Sequence, residues 1–178
     1  MIEIRWHGRG GQGAFTAAKI LGSAIMLNED KFALSFPSFG PERRGAPIQA
    51  FTKIDNKQII NRSEIIKSDY MVFLDETLFN FNALKDLKEN GKVILNSENN
   101  EKYNDYKNII TIDASKIAME ILKMPITNTA MLGALIAISN IANISSVQNA
   151  ISEYLPSKVV DKNIQVLQMA YKEVQDNE

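Results

Sequence analysis

A glycine-rich stretch near the N-terminus places the strongest constraint on how this chain folds. Residues 6–13 are WHGRGGQG, with four glycines in six positions. Ahead of the glycines, Ile2, Ile4 and Trp6 alternate with charged residues, which is typical of a strand with one apolar face. Behind them, apolar residues recur at helical spacing over 17–24. The stretch therefore predicts a strand, a tight glycine turn and a helix.

The rest of the chain predicts an α/β fold. Apolar runs without alternation, typical of strands covered on both faces, occur at 70–74, 93–95 and 109–112. Helical patterns separate these runs and fill the last third of the chain. We predict one domain over residues 1–178, an open, mostly parallel, Rossmann-like three-layer sheet with helices on both faces, an inserted β-hairpin and a helical C-terminal third.

Four local features refine this fold. Alternation over 48–54, followed by Asp55-Asn56, predicts a hairpin whose second strand follows that turn. A helix is expected over 77–88. Residues 145–148 match a capping box that opens a later helix. Gly133 lies inside an apolar helical pattern, where glycine costs about 1 kcal/mol relative to alanine, and so indicates close contact with another backbone.

Charge and composition limit the partners that the chain can have. The net charge is −1, with both signs spread along the sequence, so neither nucleic acid nor an anionic membrane is indicated. The longest apolar run, 130–138, is well short of the roughly 20 residues of a membrane helix. No signal segment opens the sequence, and we expect a cytoplasmic protein. The absence of cysteine excludes disulfides and cysteine-ligated clusters within this chain.

The glycine turn lacks the features of the two commonest nucleotide sites. Gly8, Gly10 and Gly13 fit the G-x-G-x-x-G pattern between a strand and a helix, but the pattern alone is weak. A dinucleotide site needs an acidic residue at the end of the second strand, where this chain has Phe36-Pro37. A triphosphate loop needs a lysine and a hydroxyl residue, which do not follow Gly13.

Two interpretations of the turn remain. The glycines either serve only close packing of the helix on the sheet, or they help to hold an anion at the helix N-terminus. Arg9 favours an anion or carboxylate beside the turn. Arg43 and Arg44 are either solvated, with Glu42 paired to one of them, or a recognition site for phosphate or for carboxylates of a partner. Both loops follow strands that we expect at one sheet edge, so the arginines are predicted to converge.

No complete active site is visible. His7 is the only histidine, and the sequence shows no carboxylate partner for it. Asp75 follows a buried run and is interpreted as a helix cap or loop anchor rather than a base. We find no activated nucleophile, no paired carboxylates and no cluster with metal-ligand spacing. Catalytic and metal-binding residues are therefore predicted to be absent from this chain.

Two long motifs resemble one protein family. Residues 6–13 together with 36–47 (FPSFGPERRGAP) resemble the gamma subunits of 2-oxoacid:ferredoxin oxidoreductases, most closely the pyruvate type. Residues 128–133 (NTAMLG) and 162–164 (KNI) match later landmarks of that family, so the resemblance spans nearly the whole chain. The branched-chain 2-oxoacid enzymes are closely similar and stay open as an alternative, as does a purely protein-docking role.

The resemblance implies a subunit of an enzyme that converts pyruvate and coenzyme A (CoA) reversibly to acetyl-CoA, carbon dioxide and reduced ferredoxin. It implies alpha, beta and delta subunits as partners, ferredoxin served through the complex, and thiamine diphosphate, magnesium and iron–sulfur clusters in those other subunits. An isolated chain would be inactive and would expose an apolar docking face able to form a homodimer. The edge expected to face CoA or a partner comprises Gly8, Arg9, Gly10, Gly11, Gln12, Gly13, Ser38, Glu42, Arg43 and Arg44.

Overall fold

A computed structural model describes residues 1–38 and 44–177. The strands are β1 (Ile2–Arg9), β2 (Phe32–Pro37), β3 (Pro47–Asp55), β4 (Ser68–Phe73), β5 (Leu87–Asn96) and β6 (Ile109–Ile112). The α-helices are α1 (Ala14–Asn28), α2 (Ala114–Ile121), α3 (Asn128–Ser139), α4 (Ile144–Tyr154) and α5 (Ser157–Asp176). The predicted strand, glycine turn and helix at the N-terminus are confirmed as β1, residues 10–13 and α1.

The strands form one sheet in the order β2-β3-β1-β4-β5-β6. β1, β4, β5 and β6 are mutually parallel, and β3 runs antiparallel to its neighbours β1 and β2. The predicted open, mostly parallel sheet is therefore confirmed. The chain leaves β1 towards β2 and β3, and β4 then pairs on the other side of β1. β1 and β4 are therefore the neighbouring strands between which the chain changes the side on which it adds strands. Sites in open sheets usually lie at the carboxyl ends of such a pair.

All five α-helices pack on one face of the sheet. Trp6 of β1 and Val72 of β4 are fully buried in the core between the sheet and these helices. α3 is apolar on every side and packs against both the sheet and α5. Within 1–38 and 44–177, no helix has the length and apolarity needed to cross a membrane.

The opposite face, called here the second face, has no α-helix among the described residues. It is covered by short 3-10 helices, including Glu76–Leu78 and Phe81–Asp86, and by residues 56–67, which have no regular structure. The predicted helix over 77–88 is therefore wrong. The Asp75 side chain accepts the Thr77 N–H and the Asn80 side chain accepts the Asn82 N–H, so each cap starts a separate short turn. The third layer consequently consists of these turns rather than the expected α-helices.

The hairpin predicted at Asp55-Asn56 is also wrong. β3 ends at Asp55, and residues 57–60 form no strand. β3 is already hydrogen-bonded to β1 along one edge and to β2 along the other, so no edge is left for a returning strand. The antiparallel pair inserted into the sheet is instead β2 with β3.

The start of α4 differs from the predicted capping box. The helix begins at Ile144 after an Asn143 N-cap, and the carboxylate of Glu29 supplies the capping acceptor. Glu29 Oε1 accepts the Asn143 N–H at 2.8 Å and the Ser146 hydroxyl at 2.6 Å. Burial would raise the pKa of Glu29, but these hydrogen bonds outweigh it and lower the pKa. The end of α1 is thereby joined to the start of α4.

Gly133 lies where α3 crosses α5, as the close contact predicted from the sequence requires. A Cβ atom at this position would meet the carbonyl oxygen of Leu167 and would lie 3.3 Å from the Ala170 Cβ. The two helix backbones can approach this closely only because residue 133 has no side chain.

We predict that Gly133→Ala destabilises the protein despite the better helix propensity of alanine. Overpacking against a backbone carbonyl costs up to about 3 kcal/mol and the propensity gain is about 1 kcal/mol, so the free energy of unfolding should fall by about 2 kcal/mol. Urea denaturation measures this difference. Gln168→Ala, at an exposed position of α5, is the control and should change stability little. An unchanged midpoint for Gly133→Ala would contradict the close crossing.

Candidate functional site

The glycine turn connects the end of β1 to the start of α1 and packs against α3. Gly11 and Gly13 have φ values of 97° and 84°, a backbone conformation that favours glycine. A Cβ on Gly13 would lie 2.6 Å from Asn128 Nδ2, and that amide donates a hydrogen bond of 3.4 Å to the Gly13 carbonyl. Close packing thus accounts for part of the glycine content.

The turn is hydrogen-bonded to the loop that precedes β3. The Gly10 N–H donates to the Ala46 carbonyl at 2.9 Å, and the Gly45 N–H donates to the Gly10 carbonyl at 3.0 Å. The structure thereby places Arg44, whose side chain is exposed, beside the glycine turn. Glu42 and Arg43 lie outside the described residues.

Arg9 is bound to groups of this same chain. Its Nε donates to Asp75 Oδ2 at 2.9 Å, and its Nη2 donates to Thr77 Oγ1 at 2.9 Å. Its Nη1 donates to the Gly45 carbonyl at 3.1 Å. The carboxylate expected beside Arg9 is therefore Asp75, a pairing that the sequence analysis missed. Arg9 joins three loops of the sheet edge and is less available to an external anion than Arg44.

Gln12 completes this arrangement. Its Oε1 accepts the Arg9 N–H at 2.7 Å, and its Nε2 donates to Asp75 Oδ2 at 3.2 Å. Burial would raise the pKa of Asp75, but hydrogen bonds from Thr77, Gln12 and Arg9 together lower it. Asp75 is therefore an ionised cap and loop anchor, as the sequence analysis interpreted it.

Gly8 and Ser38 have different surroundings. A Cβ on Gly8 would lie 3.3 Å from the Ala14 Cβ, so Gly8 lets β1 pass close to the start of α1. Ser38 is half-buried, and its N–H donates to the Gln49 carbonyl at 2.9 Å. Its side chain lines a cavity of about 400 Å³ on the second face together with His7 and Gln49.

His7 is buried, and its ring stacks on Phe73 with 4.2 Å between the ring centroids. Its Nε2 atom makes no hydrogen bond with the described residues. Burial, and next the Arg5 guanidinium, lower the pKa of His7 from 6.5 to about 3, against a smaller opposing effect of Asp86. The imidazole is neutral near pH 7 and is poorly suited to accept a proton.

A polar cleft of about 460 Å³ lies beside the glycine turn, at the carboxyl ends of β4 and β5. Its lining includes Gln12, Asp75, Glu76, Asn96, Ser97 and Glu98. Glu76 accepts hydrogen bonds from the Ser97 hydroxyl at 2.9 Å and the Tyr103 hydroxyl at 2.7 Å, which fixes one wall. This cleft was not predicted from the sequence, although Asn96 and Ser97 directly follow the buried run 93–95, where a site at the strand ends would be expected.

The chain is similar to known proteins of one family. Residues 3–173 match the family model for pyruvate ferredoxin/flavodoxin oxidoreductase. The chain is 46% identical over 175 residues to pyruvate synthase subunit PorC of Methanocaldococcus jannaschii, covering 98% of this chain and 97% of that protein. It is 42% identical over 182 residues to the pyruvate/ketoisovalerate oxidoreductases common subunit gamma of Pyrococcus furiosus, covering 98% of each.

A solved structure agrees with this assignment. The crystal structure of pyruvate oxidoreductase subunit PORC from Thermotoga maritima superposes with a TM-score of 0.82 at 33% identity, covering 96% of this chain and 95% of that chain. The chain therefore belongs to the pyruvate ferredoxin/flavodoxin oxidoreductase family. Within it, the chain is of the gamma type, since it matches separate gamma subunits over nearly their whole length.

We predict a pH dependence of stability that comes from His7. Because its pKa is about 3 in the folded state and 6.5 otherwise, only the unfolded chain takes up this proton as the pH falls from 7 to 5.5. Wild-type protein should lose about 1 kcal/mol of unfolding free energy over this interval. His7→Phe, which keeps a ring against Phe73, should not show this loss.

Urea denaturation of both proteins at the two pH values measures the effect. His7 is the only histidine, and the ordinary carboxylate range lies below this interval, so the difference between the two proteins isolates one group. Equal losses in wild type and His7→Phe would show that the imidazole is not held neutral.

Proposed function

We propose that this chain is the gamma subunit of a pyruvate-type 2-oxoacid:ferredoxin oxidoreductase and that its glycine-turn edge faces CoA. The complete enzyme would convert pyruvate and CoA to acetyl-CoA and carbon dioxide, passing two electrons to ferredoxin, and the reaction would be reversible. Family membership and the full-length match to gamma subunits support the assignment. Alpha, beta and delta subunits would complete the enzyme, which we expect to be cytoplasmic.

The chemistry would take place outside this chain. His7 is buried and neutral, and Asp75 is engaged with Arg9. The chain contains no cysteine to ligate an iron–sulfur cluster, and in the described part of the chain no three His, Asp or Glu side chains group to hold a metal ion. Thiamine diphosphate, magnesium and the clusters are therefore proposed to reside in the partner subunits.

The observation that carries the CoA-facing role is the position of Arg44 beside the glycine turn that leads into α1. Gly13 is the N-cap of this 15-residue helix and offers no side-chain acceptor to the first N–H groups, which have no intrahelical partner. The adjoining Gly10 bridges to Arg44, whose guanidinium is exposed. Backbone N–H groups, the helix dipole and a guanidinium together suit a phosphate of CoA.

The distribution of charges also favours binding of an anion on one side of the glycine turn. The polar cleft carries the carboxylates of Asp75, Glu76 and Glu98, which disfavour an anion there. Arg9 offers little compensation because its charge is paired with Asp75. A phosphate would therefore lie on the Arg44 side of the glycine turn.

The identity of the 2-oxoacid is the less specific part of the proposal. The Pyrococcus furiosus relative is named as common to pyruvate and ketoisovalerate oxidoreductases. Service in a branched-chain enzyme therefore stays the alternative for this chain. The Gly-Pro-Glu-Arg-Arg-Gly-Ala-Pro segment at 40–47 is the feature that favours pyruvate.

A second candidate function is protein docking without any ligand contact at this edge. The engagement of Arg9 by Asp75, Thr77 and Gly45 favours it, because this arginine needs no external anion. The two functions make different predictions for the same variants, since a CoA contact affects kinetics and a docking contact affects assembly.

We predict that Arg44→Ala, alone and with Arg43→Ala, raises the KM for CoA of the assembled enzyme. Loss of a hydrogen bond to a charged group costs about 1.5–3 kcal/mol, so an increase of about tenfold or more is expected. The KM for pyruvate and the subunit composition should not change. Steady-state kinetics and size-exclusion chromatography of the purified complex provide the measurements.

Lys172→Ala, which removes an exposed cation on α5 away from this edge, is the control and should leave the KM for CoA unchanged. Normal assembly of the arginine variants with an unchanged KM for CoA would reject the CoA-facing role. Loss of assembly would favour the docking function.

Calorimetric titration of the isolated chain with NAD, FAD and ATP should show no binding. Measurable binding would instead indicate an independent nucleotide site.

A further inference from the structure

Residues 56–67, called here the crossing segment, lie on the second face and are held there by two buried cations. Lys53 Nζ donates to the Ser63 carbonyl at 2.8 Å and to the Asn61 carbonyl at 3.3 Å. Arg5 Nη1 donates to the Ile66 carbonyl at 3.1 Å. The Lys53 side chain is only 2% exposed, so moving the segment away would leave a buried charge without these acceptors.

An apolar contact fixes the same segment from within. Ile65 is buried in a cluster with Phe36 and Phe51. The crossing segment is thus attached at four positions between Asn61 and Ile66, three through backbone carbonyls and one through a side chain, although it forms no helix or strand. A segment attached in this way presents its remaining side chains in fixed directions.

Two of those side chains are isoleucines that face solvent. Ile60 is 84% exposed and Ile66 is 78% exposed, the highest values among the exposed large hydrophobic residues of the described chain. Ile66 cannot turn inward without breaking the hydrogen bond from Arg5 to its carbonyl, because the neighbouring Ile65 already occupies the interior. Packing among the described residues therefore gives no reason for these two apolar side chains.

The exposed charges of the crossing segment itself have one predominant sign, and the neighbouring carboxylate of Asp86 is already paired with Arg5. Lys57, Arg62 and Lys67 are exposed, and Glu64 is the one acidic residue of 57–67. A two-fold contact between copies of this chain would place this predominantly positive patch against an identical patch, which is unfavourable. An apolar surface with carboxylates at its rim would complement both the isoleucines and the cations.

We infer that the crossing segment is a docking surface for another subunit of the oxidoreductase, one that presents an apolar patch rimmed by carboxylates. The inference rests on the proposed function, since it requires a multi-subunit enzyme. Ile60 and Ile66 enter the apolar patch, and Arg62 and Lys67 pair with its rim. Lys53 and Arg5 contribute indirectly, because they hold the segment in its docking conformation.

The test uses the complete enzyme produced by co-expression of all four subunits with a tag on this chain. Ile60→Gln with Ile66→Gln should reduce recovery of the partner subunits at least tenfold, while thermal unfolding of the isolated chain stays unchanged. Met119→Gln with Met169→Gln, which removes exposed apolar side chains from α2 and α5, is the control and should assemble normally. Arg62→Glu with Lys67→Glu should slow association, and added salt should then speed association instead of slowing it.

Each outcome has a defined meaning. Normal assembly of the isoleucine variant would overturn the docking surface and leave the gamma-subunit assignment intact. Failure of the wild-type chain to recover any partner would overturn both. If the isolated wild-type chain forms dimers that Ile60→Gln with Ile66→Gln abolishes, and the variant still joins the complex, the surface binds a second copy and the inference is wrong.

Discussion

The ion pair between Arg9 and Asp75 holds together the edge on which the rest of this structure depends. It joins the carboxyl ends of β1 and β4, and the Arg9 guanidinium also reaches the Gly45 carbonyl in front of β3. The Asp75 side chain is 17% exposed, so water screens this pair less than it screens a pair on the open surface. The chain adds strands on one side of β1 and then, from β4 onwards, on the other side, so the glycine turn after β1 lies at the switch point of the strand order. The ion pair fixes the position of this turn relative to the end of β4.

The alternation of β1 determines what covers each face of the sheet. Ile4 and Trp6 point towards the α-helices, whereas Arg5 and His7 point towards the second face. An alternating strand ordinarily leaves its polar side in water. Here that side is covered, because carbonyl groups of the crossing segment accept hydrogen bonds from Arg5 and from Lys53 on β3. A segment without regular structure has carbonyls available for this purpose, whereas the carbonyls of an α-helix are engaged within the helix.

Patterns of apolar spacing predicted the helices and strands well where residues close in sequence determine the structure. They failed where contacts between residues far apart in sequence determine it. The N-terminal strand and helix, and the strand at 109–112, follow from apolar spacing alone. The hairpin at 55–56 failed because β2 occupies the free edge of β3. In the site, the glycine turn was visible in the sequence, but the Arg9–Asp75 pair joins residues 66 positions apart, and no local signal connects them.

The pairing of Arg9 changes how the arginines of this edge are interpreted. From the sequence, Arg9, Arg43 and Arg44 are expected to converge at the glycine turn as an anion site whose charges act together. One of them is neutralised by Asp75, and the cleft next to it is acidic, so the favourable potential for an anion is restricted to the Arg44 side of the turn. The crossing segment lies on the second face of the sheet and not at this edge. A ligand at the edge and a partner on the second face would therefore not compete for the same side chains, which suits a subunit that contributes binding surfaces to a larger enzyme.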